Sequence, residues 1–385
     1  MPKTSKNFIN FQKPFFIGTE NQEVSKTISN RQLIGPGNYI SKVENLLERQ
    51  LNCKKVLLTN SGTDALEMAC ILANFGPGDE VITPSFNFPS SGTSILRTGA
   101  KPVFVDICSQ NMNVSLDSIK RSITKHTKGI IIIHYAGIAA EVLPINKLAK
   151  EFNLIVIEDA APAIYSKYKN KYLGTFGDFG ILRFHFTKNI FCGEGGALII
   201  NNKKNIDRAH VIREKGTNRY LFSKKKISKY TWIDTGSSFI PSSLQASFLY
   251  AQLKRGIYIT KKRLNIFYRY HDFFKKHNFN NLIKLPSIDN DNFGNGHFYW
   301  IILPKNKRNM FLKISNSKGL ELTTHYEPLH KSIAGTKFGK QIDDLSETEE
   351  LSKRILRLPI HTKMSASEQK VIFEILNVTI KECFD

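Results

Sequence analysis

Between residues 54 and 200 the chain alternates short β-branched runs with stretches of helical periodicity, and no other feature limits its fold as strongly. The strand-like runs are KVLLT, DEVITP, KPVFVDI, GIIIIHYA, NLIVIEDA, ILRFHFT and GALIINN. Segments such as SGTDALEMACILANF, SLDSIKRSITKHT and INKLAKEFN lie between them and read as helices. Strands that are apolar along their whole length need cover on both faces, and helical crossovers between parallel strands supply it. The expected fold class is therefore α/β, with a mostly parallel central sheet and helices on both faces.

Residues 203–240 are richer in Lys, Arg, Ser and Tyr and show weaker periodicity. A long helical stretch then runs through SSLQASFLYAQLKRGIYITKKRLNIFYRYHDFFKKH. Two alternating segments, GHFYWIILP and GLELTTHYEPLH, precede a last helix from Ser365 to about Lys381. This pattern predicts a large α/β domain over 1–250 and a smaller C-terminal α+β domain over 251–385.

Composition narrows the class of partner. Five cysteines without CxxC spacing argue against a metal site or a disulfide framework, and read as reduced thiols in a cytoplasm. The opening MPKTSKNFINFQKPFF lacks the apolar core of a signal peptide, and the apolar runs are too short to span a bilayer, so no membrane partner is expected. The net charge of 55 − 33 = +22 raises nucleic acid as a partner. The lysines are dispersed, however, and neither an RNA-binding aromatic signature nor zinc-finger spacing accompanies them. A generally basic surface suits an anionic small molecule better.

Ligands of open α/β sheets sit beyond the carboxyl ends of the strands, and four features fall there. TNSGTDALEMA (59–69) brings Ser61, Gly62 and Thr63 to a helix start, where free N–H groups favour a phosphate; an ordinary helix cap is the competing reading. PSFNFPS (84–90) offers Phe86 and Phe88, to stack on a planar ring or simply to fill core. LIVIEDAAP (154–162) ends a strand on Glu158 and Asp159, whose side chains alternate to opposite faces, so only one of them can enter a site. A buried carboxylate there suits a protonated ring nitrogen, with a salt bridge or a cap as alternatives. Lys188, in LRFHFTKNIFCGEGGAL (182–198), stands between an aromatic run and a glycine cluster. Most lysines are solvated, and this one becomes a nucleophile only if burial or a nearby cation lowers its pKa. Taken in order, the four meet the needs of pyridoxal phosphate, which uses a lysine amine and an acid opposite its pyridine nitrogen.

On these residues the chain resembles the DegT-type nucleotide-sugar aminotransferases, which have the fold-type I pyridoxal-phosphate architecture. IREKGTNR (212–219), KYTWIDTGSSFIPSSLQASFLYAQL (229–253) and THYEPLHKSIAGTKFG (324–339) extend the resemblance over nearly the whole chain. They look like the branch that converts dTDP-4-dehydro-6-deoxyglucose to dTDP-4-amino-4,6-dideoxygalactose for bacterial surface glycans. The resemblance implies Lys188 as the cofactor-bearing lysine, Asp159 as partner of the pyridine nitrogen and Phe88 as the stacking aromatic. It places Gly62, Thr63 and Arg183 at the phosphate. It also implies a homodimer with shared active sites, in which Gly236–Ser238 of one subunit reaches the phosphate of the other. His325, Tyr326 and His330 are implied at the sugar or nucleotide, with packed aromatics and a surface histidine as the alternatives.

Three positions depart from the family pattern. Pro162 replaces a Gln or His that bonds near the cofactor, Arg183 replaces a serine, and Phe186 replaces a small or polar residue. The implied reaction is transamination in two halves, from an amino-acid donor (glutamate by analogy) to the C4 ketone of the sugar. Two alternatives compete with it. A ketosugar dehydratase would carry a histidine where this chain has Lys188. A non-catalytic homologue that binds cofactor or sugar nucleotide would tolerate Pro162 and Arg183.

Overall fold

The computed structural model describes residues 8–384 apart from 32, 34–37, 278, 280–281 and 289–290. Its strands are β1 (Lys55–Thr59), β2 (Glu80–Pro84), β3 (Lys101–Val105), β4 (Thr127–Ile133), β5 (Ile155–Asp159), β6 (Lys167–Tyr168) and β7 (Lys171–Tyr172). They continue with β8 (Phe179–Arg183), β9 (Gly196–Ile200), β10 (Asn292–Phe293), β11 (Tyr299–Ile302), β12 (Lys340–Gln341) and β13 (Ile355–Leu358). Eight of them form one sheet in the order β1-β9-β8-β5-β4-β2-β3-β12. Strand β9 runs antiparallel to both neighbours, β1 and β8, and the remaining pairings are parallel. Helices cover both faces, so the α/β fold expected from the sequence is the fold observed.

Period-two alternation explains the two-sided burial. Val56, Leu58, Ala197 and Ile199 pack on one face against Val43 and Leu47 of the Asn38–Leu51 helix and Leu249 of the Ser243–Lys254 helix. Their neighbours Leu57, Leu198 and Ile200 turn to the other face, against Leu66, Ala69 and Leu72 of the Gly62–Leu72 helix.

A further core joins Ile266, Tyr270 and Phe274 to the antiparallel pair β11–β13 and to Ile372 and Leu376 of the Ala366–Phe384 helix. A smaller cluster of Phe86, Tyr135, Phe298, Trp300 and Ile355 connects β11–β13 to the ends of β2 and β4. Strand β12 brings the chain back to the edge of the large sheet beside β3.

Local structure differs from the sequence expectation in three places. The long helical stretch is two helices, Ser243–Lys254 and Gly256–Lys276, divided at Arg255 (φ −113°, ψ 10°). The break lets Gly256 lie against Tyr165, where a Cβ would come within 2.5 Å of the ring and hydroxyl. ILRFHFT is a strand only to Arg183: beyond it the Phe184 carbonyl accepts the Cys192 N–H (2.9 Å) and the Lys188 N–H closes a turn on the His185 carbonyl (2.8 Å). GLELTTHYEPLH contributes only two isolated bridges, Leu320 with Ile9 and Thr323 with Arg357, and enters a short 3-10 turn at Leu329; between these it runs as irregular chain.

Candidate active site

Five strand ends open on one cavity of about 230 Å³. Beyond β1, the Ser61 hydroxyl accepts the Asp64 N–H (3.1 Å) and caps the Gly62–Leu72 helix. The N–H groups of Gly62 and Thr63 precede the first intrahelical acceptor, so this end of the helix carries partial positive charge. Gly196, the first residue of β9, lies directly behind the turn; a Cβ on it would come within 2.2 Å of the Ser61 carbonyl oxygen. Only a glycine at that point lets the turn and the lysine loop meet.

Gly62, Phe88, Asp159, Arg183, Lys188, His325 and Tyr326 all line the cavity, so the structure brings together residues from five separate segments. Thr63 is linked to the wall through Ser90, their hydroxyls 2.8 Å apart. Two expected residues stand elsewhere. His330 is buried behind the wall, with Nδ1 on Ser85 Oγ (2.6 Å) and Nε2 on Glu349 (3.2 Å). Ser238 is exposed beside Asn60, whose side-chain amide donates to the Ser238 carbonyl (2.9 Å). Of the three departures, Pro162 and Arg183 line the cavity, whereas Phe186 projects to solvent at 50% exposure.

The adjacent acids of β5 have different surroundings. Glu158, fully buried, faces away from the cavity and accepts from His134 Nε2 (2.9 Å) and from the amides of Gly174 (2.9 Å), Phe176 (2.5 Å) and Gly177 (2.6 Å). Asp159 faces the cavity, and among the described residues its carboxylate takes one hydrogen bond, from the Ala161 N–H (3.0 Å). Burial pushes Asp159 above the usual carboxylate range, opposed in part by that N–H and by the Lys188, Arg183 and His134 charges. A cationic nitrogen brought into the cavity would offset the same burial cost.

Lys188 is shifted the other way. Withdrawal from water lowers its amine to about 8; Asp159 opposes the shift, and Arg183 and Arg357 reinforce it. At that value roughly one amine in ten is unprotonated at pH 7, against roughly one in three thousand for an ordinary lysine. Arg183 crosses the cavity wall with its stem on Gly62 and its guanidinium 5.1 Å from the Phe88 ring centroid. A contact of this kind is worth about 0.5–2 kcal/mol.

Tyr135, His297 and Arg357 also line the cavity and were not read from the sequence. Tyr135 follows β4 and donates or accepts at His325 Nδ1 (3.2 Å). His297 and His325 are both held well below the ordinary imidazole range by burial and by the Lys188 and Arg357 charges. Arg357 is tied by Nε and Nη2 to the Thr324 carbonyl (3.1 and 2.6 Å). The strand-end rule itself would have flagged Tyr135, and an arginine inside the apolar run RILRLPI would have flagged Arg357. His297 carries no local signal.

The sequence pattern of the DegT/DnrJ/EryC1/StrS aminotransferase family matches residues 16–377. The chain belongs to this family. Transamination with pyridoxal 5′-phosphate is the family's chemistry, as the sequence resemblance implied. A GDP-perosamine synthase of Escherichia coli O157:H7 is 33% identical, over 77% of each chain. A dTDP-4-dehydro-2,3,6-trideoxy-D-glucose 4-aminotransferase of Saccharopolyspora spinosa is 27% identical over 94% of each. A solved DegT DnrJ EryC1 StrS aminotransferase from Brucella abortus superposes with a TM-score of 0.86 at 27% identity, over 95% of both chains.

The aminotransferase's residues fit the cofactor. Free helix N–H groups at Gly62 and Thr63 and a buried Arg183 Nε with no hydrogen-bond partner among the described residues suit a phosphate. The sparsely bonded Asp159 carboxylate suits a protonated ring nitrogen, and the Lys188 amine suits a carbonyl carbon. Among the described residues no helix is long and apolar enough to cross a membrane.

Proposed function

We propose that the chain transfers an amino group to the C4 ketone of a nucleotide-linked dehydro-deoxyhexose, with Lys188, Asp159, Phe88, Gly62, Thr63 and Arg183 serving the cofactor. The observation that carries this reading is Lys188: an amine lowered to about 8, in one cavity with a buried carboxylate and a helix start. Bound pyridoxal phosphate supplies an electrophilic carbonyl carbon and a ring that accepts electrons. Asp159 holds a proton on the ring nitrogen. Phe88 offers a flat apolar face, and the Gly62 and Thr63 amides with Arg183 hold the phosphate. Lys188 Nζ, once free, moves a proton from the donor α-carbon to the cofactor's carbonyl carbon in the first half-reaction, and from that carbon to sugar C4 in the second. The neutral imidazoles of His297 and His325 offer hydrogen bonds without adding charge.

The substrate is proposed as dTDP-4-dehydro-6-deoxyglucose and the donor as glutamate. The dTDP assignment rests on the segments 212–219, 229–253 and 324–339; the 4-ketone is supported by the name of the S. spinosa relative, and the GDP-perosamine synthase keeps GDP-sugars as the competitor. A fixed guanidinium at Arg357 suits the carboxylate of the donor. The subunit arrangement is proposed as a homodimer in which the exposed Ser238 segment completes the partner's phosphate site. A boundary near residue 250 is proposed between two domains, supported by the separate core over β11–β13.

Purified protein mixed with pyridoxal phosphate is expected to develop the absorbance of a lysine–cofactor adduct, and Lys188→Ala to lack it. Glutamate should then bleach that band, and dTDP-4-dehydro-6-deoxyglucose should yield a 4-amino sugar faster than its GDP counterpart. A wild-type protein with no adduct at saturating cofactor sinks the proposal; a faster GDP-sugar reaction overturns the choice of nucleotide.

A further inference from the structure

We infer that Arg183 is an anion-released gate over Phe88. Without an anion its guanidinium rests on the Phe88 ring, and a phosphate at the start of the Gly62–Leu72 helix draws it off, freeing the ring face for a flat heterocycle. The inference deepens the cofactor reading above and rests on it.

Three observations support the gate. The Arg183 stem is fixed against the helix start, since a Cβ on Gly62 would lie 2.9 Å from its Cβ and Cγ. Its Nε is buried without a hydrogen-bond partner among the described residues, so the resting position leaves a charged donor unsatisfied. The guanidinium meanwhile sits on Phe88, 5.1 Å from the centroid, in a cation–π contact and with no hydrogen bond or ion pair among the described residues.

Electrostatics favour the exchange. A cation beside a helix N-terminus meets like partial charge, and an anion between them reverses the sign of both interactions. Arginine-to-phosphate hydrogen bonds are also charge-assisted at both partners, which makes them stronger than a single cation–π contact. A serine at position 183 would bond a phosphate but could not reach Phe88. The arginine therefore couples two subsites that would otherwise fill independently, and the coupling must act equally in both directions.

The test uses the full chain stripped of cofactor, with inorganic phosphate and the phosphate-free aldehyde pyridoxal as separate probes. Phosphate binding is followed by calorimetry and pyridoxal binding by absorbance. In the wild type, saturating phosphate is expected to tighten pyridoxal binding at least fivefold. Arg183→Gln should weaken phosphate at least tenfold and reduce the coupling below twofold. Arg183→Lys, which keeps the charge but loses the planar group, should retain phosphate binding and also lose most of the coupling. Phe88→Leu removes the resting contact, so phosphate should bind it more tightly than wild type. Phosphate that competes with pyridoxal, or coupling unchanged in Arg183→Gln, overturns the gate. If the wild type binds neither pyridoxal nor pyridoxal phosphate, the cofactor reading fails by itself. The phosphate series then decides the gate: loss in Arg183→Gln with tightening in Phe88→Leu retains it, and any other pattern overturns it.

Discussion

Glu158→Gln and Asp159→Asn change neighbouring residues by the same chemistry and are expected to have opposite consequences. Glu158 Oε1 accepts two amides, from Phe176 and Gly177, and Oε2 accepts the Gly174 amide and His134 Nε2. The Ala140 N–H donates to His134 Nδ1 (3.2 Å), which keeps the imidazole proton on Nε2. A glutamine can keep one oxygen on one pair of donors, and its NH₂ then faces two N–H groups that have no other acceptor among the described residues. Each buried orphan donor costs about 1–3 kcal/mol, so Glu158→Gln should lose about 2–6 kcal/mol.

Asp159 receives one N–H, which an asparagine oxygen also accepts. Its folded pKa is raised, so the stability it contributes is present below the unfolded carboxylate pKa and is lost as pH rises through the folded value. Asparagine removes that loss, so Asp159→Asn should lie within about 1 kcal/mol of wild type at pH 7 or be more stable. Cofactor affinity should divide the other way, at least tenfold weaker in Asp159→Asn. Urea unfolding at pH 7 followed by circular dichroism, with cofactor titration of each variant, measures both quantities. A Glu158→Gln protein as stable as wild type, or an Asp159→Asn protein less stable than Glu158→Gln, would refute the assignment of structural and site-facing roles.

Two further outcomes follow from the same geometry. The free protein should react with an amine-directed aldehyde at Lys188 with a pH midpoint near 8, and Arg183→Gln should move that midpoint upward by removing a cation that depresses it; peptide mapping across pH reads both shifts. Gly196→Ala would place a methyl 2.2 Å from the Ser61 oxygen and 2.5 Å from the Gly62 nitrogen, both backbone, so it should cost about 1–3 kcal/mol and weaken phosphate binding tenfold by displacing the helix start. Unfolding and calorimetry test the pair, and an alanine variant with unchanged phosphate affinity removes the link between the glycine and the turn.

Much of this was written in local pattern. Runs such as KVLLT, NLIVIEDA and GALIINN are strands because each is apolar on both faces, and β5 ends on Asp159 with Glu158 turned away, as alternation requires. Residues at the ends of strands could be grouped into one site because a parallel sheet places those ends together. What local pattern does not encode is contact across long separations. Gly256 is glycine because of Tyr165, a residue some ninety positions earlier, and nothing in LKRGIY shows it. His297 and Arg357 reach the cavity only because β11–β13 packs onto Phe86 and Tyr135. Nor does local pattern show that Phe186, unlike Pro162 and Arg183, lies outside the cavity, exposed in the turn that follows β8.

The reversal of β9 has a consequence for how the protein assembles itself. A parallel partner for β8 would have needed a crossover to the far end of the sheet, and Lys188 would then sit on a long connection. Because β9 runs backwards, Lys188 hangs from a hairpin closed by nearest neighbours in the chain, Arg183 with Gly196 through Phe179 with Ile200. Contacts of short sequence separation close quickly, whereas β1 must find β9 across more than a hundred residues. The hairpin that bears the reactive amine should therefore be able to form before the turn that meets it, leaving Gly196 as the joint at which the two halves of the site are finally brought together.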